Sequence, residues 1–244
     1  MKSNEDKPVT VAFVKAGERY PPAWYNILAQ AVKANTTVPT NIICWTDNPE
    51  GLDTALIRAV IIPISPDRHS LLHGPWVKMN MYQKKPPGVK TKRLLYLDVD
   101  NLITGDIDPI IKSKAPACFM RNYPRDWPRK LDVNTSVVMM DTGCLSYVWD
   151  AWVNTPPDTS DDRLGGPFPP DWDQSFANDV FRSSNRWPET FSENLVASYK
   201  EDVRRYGLRD IRIAVFHGRP KMDEVDEPWV KERFNSPWTK EHWK

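Results

Sequence analysis

The stretch LLYLDVDNLITGDID, Leu94 to Asp108, constrains this chain more than any other. Four apolar residues, Leu94 to Leu97, follow a basic segment and read as a buried strand. That strand delivers two carboxylates, Asp98 and Asp100. Residues two apart in an extended segment point the same way, so both side chains can reach one object. Two oxygen ligands at one edge suit a hard divalent cation, Mn2+ or Mg2+, which a diphosphate can share. Asn101, Gly105 and Asp106 are expected to turn the chain away. Open α/β sheets gather ligands at the carboxyl ends of their strands, and these carboxylates stand at such an end. A D-x-D pair also occurs as two solvated turn aspartates; the unbroken apolar run before it favours the metal reading.

The chain has 244 residues, enough for one sizeable domain. With 33 basic against 32 acidic residues, its net charge of +1 gives no general electrostatic case for nucleic acid. Three scattered cysteines, Cys44, Cys118 and Cys144, include no C-x-x-C, which argues against a zinc site or a disulfide framework. The opening MKSNEDKPVT lacks the apolar core of a signal peptide. No apolar run approaches the roughly 18 residues that span a membrane. A cytoplasmic protein is expected. The 23 prolines imply long structured loops, and the 11 tryptophans suit either core filling or stacking on sugar rings and bases.

Strands are expected at Val9 to Val14, Asn41 to Trp45, Ala59 to Ile64 and 94 to 100. Pro21 and Pro22 open an amphipathic helix carrying Trp24, Ile27, Leu28, Ala31 and Val32 on one face, and Trp76 to Tyr82 reads as a short helix. This rhythm predicts an α/β fold, a mainly parallel central sheet flanked by helices in a single domain. Further on, Ala117 to Arg121, Ser136 to Asp141 and Ile211 to Phe216 read as strands, and Leu145 to Val153 and Gln174 to Arg182 as helices. Pro156 to Asp173 is too rich in Pro, Gly and Asp for a regular element, and loops of that length are often functional. Residues 1–227 are taken as the domain and 228–244 as an aromatic and basic tail. There is no G-x-G-x-x-G and no G-x-x-x-x-G-K, so a bound nucleotide must be held through metal and side chains.

Four motifs in order resemble the GT-A fold glycosyltransferases, in the style of glycosyltransferase family 8 and its bacterial and phage relatives. YLDVDN is similar to the family's D-x-D, which implies that Asp98 and Asp100 bind Mn2+ or Mg2+ together with the donor diphosphate. Asn134-Thr135-Ser136-Val137-Val138-Met139 resembles the strand beside the donor sugar, implying roles for Asn134 and Ser136. Asp173-Gln174, followed by Asn178, is similar to the family's Asp-Gln pair at the anomeric carbon. FHGRPK resembles the late His-Gly-x-x-Lys, implying His217 as third metal ligand with Gly218 and Lys221 at the diphosphate. A basic residue at the place of Lys78 approaches the donor phosphates in the resembling enzymes. Thr135-Ser136 replaces a pattern that often has Gly, Met222 stands where proline is frequent, and Val14-Lys15 replaces a frequent acidic residue. Each residue also has a plainer use: His217 as a core histidine, Asp173 as a helix cap, Asn134 in a turn, Lys78 and Lys221 on a solvated surface.

The resemblance implies a UDP-sugar donor, a metal that stabilises the leaving diphosphate, and retention of configuration. Gln174 is a poor nucleophile and Asp173 is the one nearby carboxylate, so direct front-face transfer is expected over a covalent intermediate, with an inverting reaction that uses Asp173 as base the alternative. The acceptor is a hydroxyl of a saccharide, a glycolipid or another molecule. Two basic stretches, Lys78 to Arg93 and Arg121 to Lys130, read first as loops solvated by their charge; the alternative is contact with an anionic acceptor, a lipid-linked saccharide, a polysaccharide or nucleic acid. The tail is expected to pack on the body as a helix, with contact to a membrane surface the alternative. A haloacid-dehalogenase-like phosphatase also starts with D-x-D, but near its N-terminus and continuing Gly-Thr. A nucleotidyltransferase would want a Gly-rich loop after the first strand, and a sugar-binding module would not need Asp173-Gln174.

Overall fold

A computed structural model of the chain describes residues 7–62, 74–122, 132–154, 173–205, 210–219 and 221–224. The Pro-rich loop before Asp173, most of the Arg121 to Lys130 stretch and the tail lie outside the described residues. The first strand, β1 (Val9–Lys15), leads into helix α1 (Pro22–Ala34), β2 (Thr40–Thr46) and β3 (Ile57–Ile61). A 3₁₀ helix, Gly74–Tyr82, precedes β4 (Arg93–Leu97), β5 (Asn101–Ile103) and the short α2 (Asp108–Ile111). Then come β6 (Ala117–Arg121), β7 (Val133–Asp141), α3 (Ser146–Asn154), α4 (Asp173–Ser184), β8 (Glu189–Thr190), β9 (Val196–Ser198) and β10 (Ile213–Val215).

The main sheet has the order β3-β2-β1-β4-β7-β6-β8. Its β3-β2-β1-β4 half is parallel; β7 runs antiparallel to both β4 and β6. The expected α/β fold with a mostly parallel sheet is what forms. Alternation along the strands explains the layering. Val9, Val11 and Phe13 of β1 face one side, where Leu95, Leu97 and the apolar face of α1 meet them. Ala12, Leu94, Tyr96 and Trp45 face the other, covered by the 3₁₀ helix, α3 and α4. Both faces are therefore buried, which is why these strands read as continuous apolar runs. Among the described residues no helix is long and apolar enough to cross a membrane.

Strand boundaries moved little at β1 and β2, and α1 begins where Pro21 and Pro22 place it. The buried face of α1 is Trp24, Tyr25, Leu28, Ala29 and Val32, rotated slightly from the expected stripe, with Ile27 and Ala31 at its margin. One expectation fails where it matters. The strand through 94 to 100 stops at Leu97, Val99 and Asp100 form a turn, and Asn101 opens β5 instead of ending a strand. The reason is tertiary: β5 leaves the main sheet and pairs antiparallel with β10, in a three-stranded sheet of order β5-β10-β9.

Candidate active site

Strand β1 has β2 on one side and β4 on the other, so the chain diverges at its carboxyl end, the place where α/β sheets leave a crevice. Asp98 follows β4 directly into this crevice. Tyr96 and Asp98 share a side by alternation, and the Tyr96 hydroxyl donates to Asp98 Oδ1 at 2.8 Å. On the same side the buried Lys78 of the 3₁₀ helix reaches Asp98 at 3.1 Å and Asp173 at 3.3 Å, with its ammonium 5.0 Å above the Tyr96 ring. Burial alone would lower the Lys78 pKa, but Asp173 and Asp98 outweigh it and hold it above the usual lysine value, so this bridge is an ion bridge. Asp173, the first residue of α4 and itself buried, also accepts 2.8 Å from the Thr135 hydroxyl of β7. Its carboxylate is thus aimed at the crevice side chains.

Asp100 serves the other side. Its carboxylate is ion-paired to Lys221 and has the Tyr20 hydroxyl at 3.5 Å. Lys221 also donates to the Phe216 carbonyl at 2.8 Å. Burial raises the Asp100 pKa above the ordinary carboxylate range despite Lys221, and the nearby Asp98 charge adds to the rise. Val215 of β10 lies opposite Asn101, and the Phe216 N–H donates to the Asp100 carbonyl at 3.0 Å. His217, next along, therefore stands beside the D-x-D turn. Its Nε2 is 2.7 Å from Ser198 Oγ, and burial, with Lys200 and Lys221 nearby, pushes its pKa down to about 3, so the ring is neutral.

Three of the motifs, with Lys78, bring Asp98, Asp100, Asp173, His217 and Lys221 to one strand end, and the Asn134 motif meets them through Thr135 and Ser136. The two D-x-D carboxylates take different partners, however. The strand ends before Asp100, so the two-residue alternation argument stops at Asp98. Asn134 and Ser136 act here through the backbone: the Asn134 side chain accepts from the Ser136 N–H at 2.8 Å, and the Ser136 carbonyl takes both the Asp98 N–H and the Asn101 amide at 2.9 Å. Gln174 is half-buried with no hydrogen bond to its side chain among the described residues. Thr135, Tyr96 and Tyr20 contact these carboxylates and were not singled out in the sequence, and Lys200 stands near Lys221. Thr135 stood inside a quoted motif, whereas Lys200 sits in a polar stretch that carries no signal.

Asn178 turns out to be a fastener. Its amide group donates 2.8 Å to the Val133 carbonyl and its oxygen accepts 2.8 Å from the Val133 N–H, tying α4 to the start of β7. Asn178→Ala should leave both buried backbone groups unsatisfied and cost about 3 kcal/mol. Urea unfolding measures it, and an unchanged midpoint would show that the clamp contributes nothing.

The donor types, two carboxylates and a neutral imidazole, fit a hard divalent cation with some preference for Mn2+. Among the described residues no three of His, Cys, Asp and Glu stand close enough to hold one ion. Asp98 is bound to Lys78, Asp100 to Lys221, and His217 to Ser198. A cation here would have to compete with two ammonium groups for these carboxylates.

No family model and no curated protein matches the sequence. Solved structures do. The galactosyltransferase LgtC, crystallised with donor and acceptor sugar analogs, aligns over 96% of this chain and 96% of its own at TM-score 0.60 and 12% identity. An active-site mutant of LgtC aligns over 93% and 94% at TM-score 0.57 and 13% identity. The apo-form glycosyltransferase GlyE of Streptococcus pneumoniae TIGR4 aligns over 89% of this chain and 56% of its own at TM-score 0.57 and 12% identity. At such identities the likeness speaks for architecture, and it covers nearly the whole chain: this protein has the fold of the GT-A glycosyltransferases.

Proposed function

We propose that the chain is a glycosyltransferase, moving a sugar from a nucleoside-diphosphate donor, a UDP-sugar by resemblance, to an acceptor hydroxyl with retention of configuration. The observation that carries this reading is the grouping of Asp98, Asp100 and Asp173 with Lys78 and Lys221 at the carboxyl end of β4, within this fold. Mn2+ or Mg2+ on Asp98 and Asp100, with His217 as nitrogen donor, would act as a Lewis acid toward the leaving diphosphate. Lys78 and Lys221 are held at the same carboxylates, so their ammonium groups are preorganised for the negative charge that develops as the sugar bond breaks. Asp173 is engaged by Lys78 and Thr135, which argues against a free nucleophile, and the Gln174 amide is available to orient the sugar. Both features support direct transfer on the face from which the diphosphate departs.

The acceptor is a saccharide, a glycolipid or another hydroxyl compound, with nucleic acid the anionic alternative. Three free cysteines support a reducing compartment, and we place the protein in the cytoplasm. The test is a thermal-shift and calorimetric panel of UDP-, GDP-, ADP-, CDP- and dTDP-sugars with and without Mn2+. One nucleotide should raise Tm, and more so with metal. Absence of any shift across the panel would contradict the donor reading.

A further inference from the structure

Around this site Lys200 stands apart. Lys78 and Lys221 each hold a carboxylate, whereas Lys200 has neither an ion pair nor a hydrogen bond among the described residues. Its position is nevertheless built. Strand β9 runs parallel to β10 with Ser198 beside Val215, and Ser198 Oγ meets His217. The chain then enters a π-helical turn, Tyr199–Arg204, an element that recurs at functional sites. Ser198 caps that turn by accepting from the Glu201 N–H at 3.1 Å, and Asp202 accepts 2.8 Å from the Ser198 N–H. Tyr199 is buried and stacked on Phe216 with ring centroids 4.1 Å apart. The next residue, Lys200, is thereby carried over Gly218. Gly218 has φ +63, a backbone conformation that favours glycine, and Lys200 Nζ lies 2.9 Å from where a Cβ there would stand, so the ammonium sits close over this turn.

The electrostatics around this half-buried ammonium are adverse. Burial, then Lys221 and Arg204, lower its pKa, against a weaker pull from Glu201 and Asp100. A half-buried cation beside like charges, with no hydrogen-bond acceptor among the described residues, is suited to an anion from outside.

We propose that Lys200 is a third anion-binding lysine of the site, contacting the diphosphate of the donor and of the leaving nucleoside diphosphate. This rests on the donor reading above. Three ammonium groups then surround the diphosphate: Lys78 from the α4 side, Lys221 from beside Asp100, and Lys200 from above Gly218. The two paired lysines are neutralised by Asp98, Asp173 and Asp100, whereas Lys200 has no paired carboxylate among the described residues.

The test uses Lys200→Met and Lys200→Arg in the full chain. The probe is whichever of UDP, GDP, ADP, CDP and dTDP the wild type binds by calorimetry, with and without Mn2+, and the matching nucleoside. Lys200→Met should bind the diphosphate about tenfold or more weakly, the size of one lost charge-assisted hydrogen bond, and bind the nucleoside as wild type does. Lys200→Arg should keep most of the diphosphate affinity. Without ligand, Lys200→Met should melt at the same temperature as wild type or higher, because it removes an unpaired charge. Equal diphosphate affinity in wild type and Lys200→Met, or a lower Tm with nucleoside binding lost as well, would overturn the assignment. A wild type that binds none of the five diphosphates would overturn the donor reading, and this assignment with it.

Discussion

Asp173→Ala is expected to lower turnover by at least about a hundredfold, the scale of losing one positioned catalytic group. The structure gives the loss a route. Asp173 is fixed at the start of α4 by Lys78 at 3.3 Å and by Thr135 at 2.8 Å, so it orders the helix turn that carries Gln174 and holds Lys78 in the crevice. Removing it leaves Lys78 with Asp98 alone and loosens both. Donor affinity should change far less, because Asp100, Lys221 and the rest of the strand end are untouched. Gln174→Ala should be the milder variant, since an amide orients a sugar without moving a proton. Steady-state kinetics and donor binding on both variants check this. Normal turnover of Asp173→Ala would mean that the carboxylate only fastens α4 to the sheet.

Asp98→Asn and Asp100→Asn should each remove transfer altogether, since either substitution takes away a cation ligand and the partner of a lysine. They should differ in stability. Asp98→Asn keeps the Tyr96 hydrogen bond and leaves the buried Lys78 paired with Asp173, so about 1 to 2 kcal/mol of stability is lost, less than when a buried charge loses every partner. Asp100→Asn leaves Lys221 on the Phe216 carbonyl and removes a carboxylate that burial already disfavours in its charged form, so its stability should fall less. Denaturant unfolding separates the two, and full activity of both variants in excess EDTA would contradict the metal site.

What the sequence made legible was what repeats locally. The β-branched run of β1, the proline start of α1 and the apolar run of β4 are set by steric and periodic rules acting over a few residues, and they formed where expected. The motifs told which residues meet, because Asp98, Asp173, His217 and Lys221 all reach one strand end. How they meet was hidden. Pairing of β5 with β10, residues separated by more than a hundred positions, ends the D-x-D strand at Leu97 and sends Asp100 to a different partner from Asp98. No local pattern encodes such a contact. Asn178 looked like part of a catalytic motif and is a clamp on Val133, since an amide matches a backbone N–H and C=O pair. Lys200 was invisible because its meaning depends on Gly218 and Lys221, which only the fold brings near it.

Product analysis separates glycosyl transfer from phosphatase chemistry. Wild type and Asp98→Asn are incubated with the sugar nucleotide that binds, with Mn2+ and without acceptor, and the products are separated. Wild type should slowly release nucleoside diphosphate and free sugar, and Asp98→Asn should release neither. Release of inorganic phosphate from p-nitrophenyl phosphate by wild type, lost in Asp98→Asn, with the sugar nucleotide left intact, would contradict glycosyl transfer and make the D-x-D a phosphatase site.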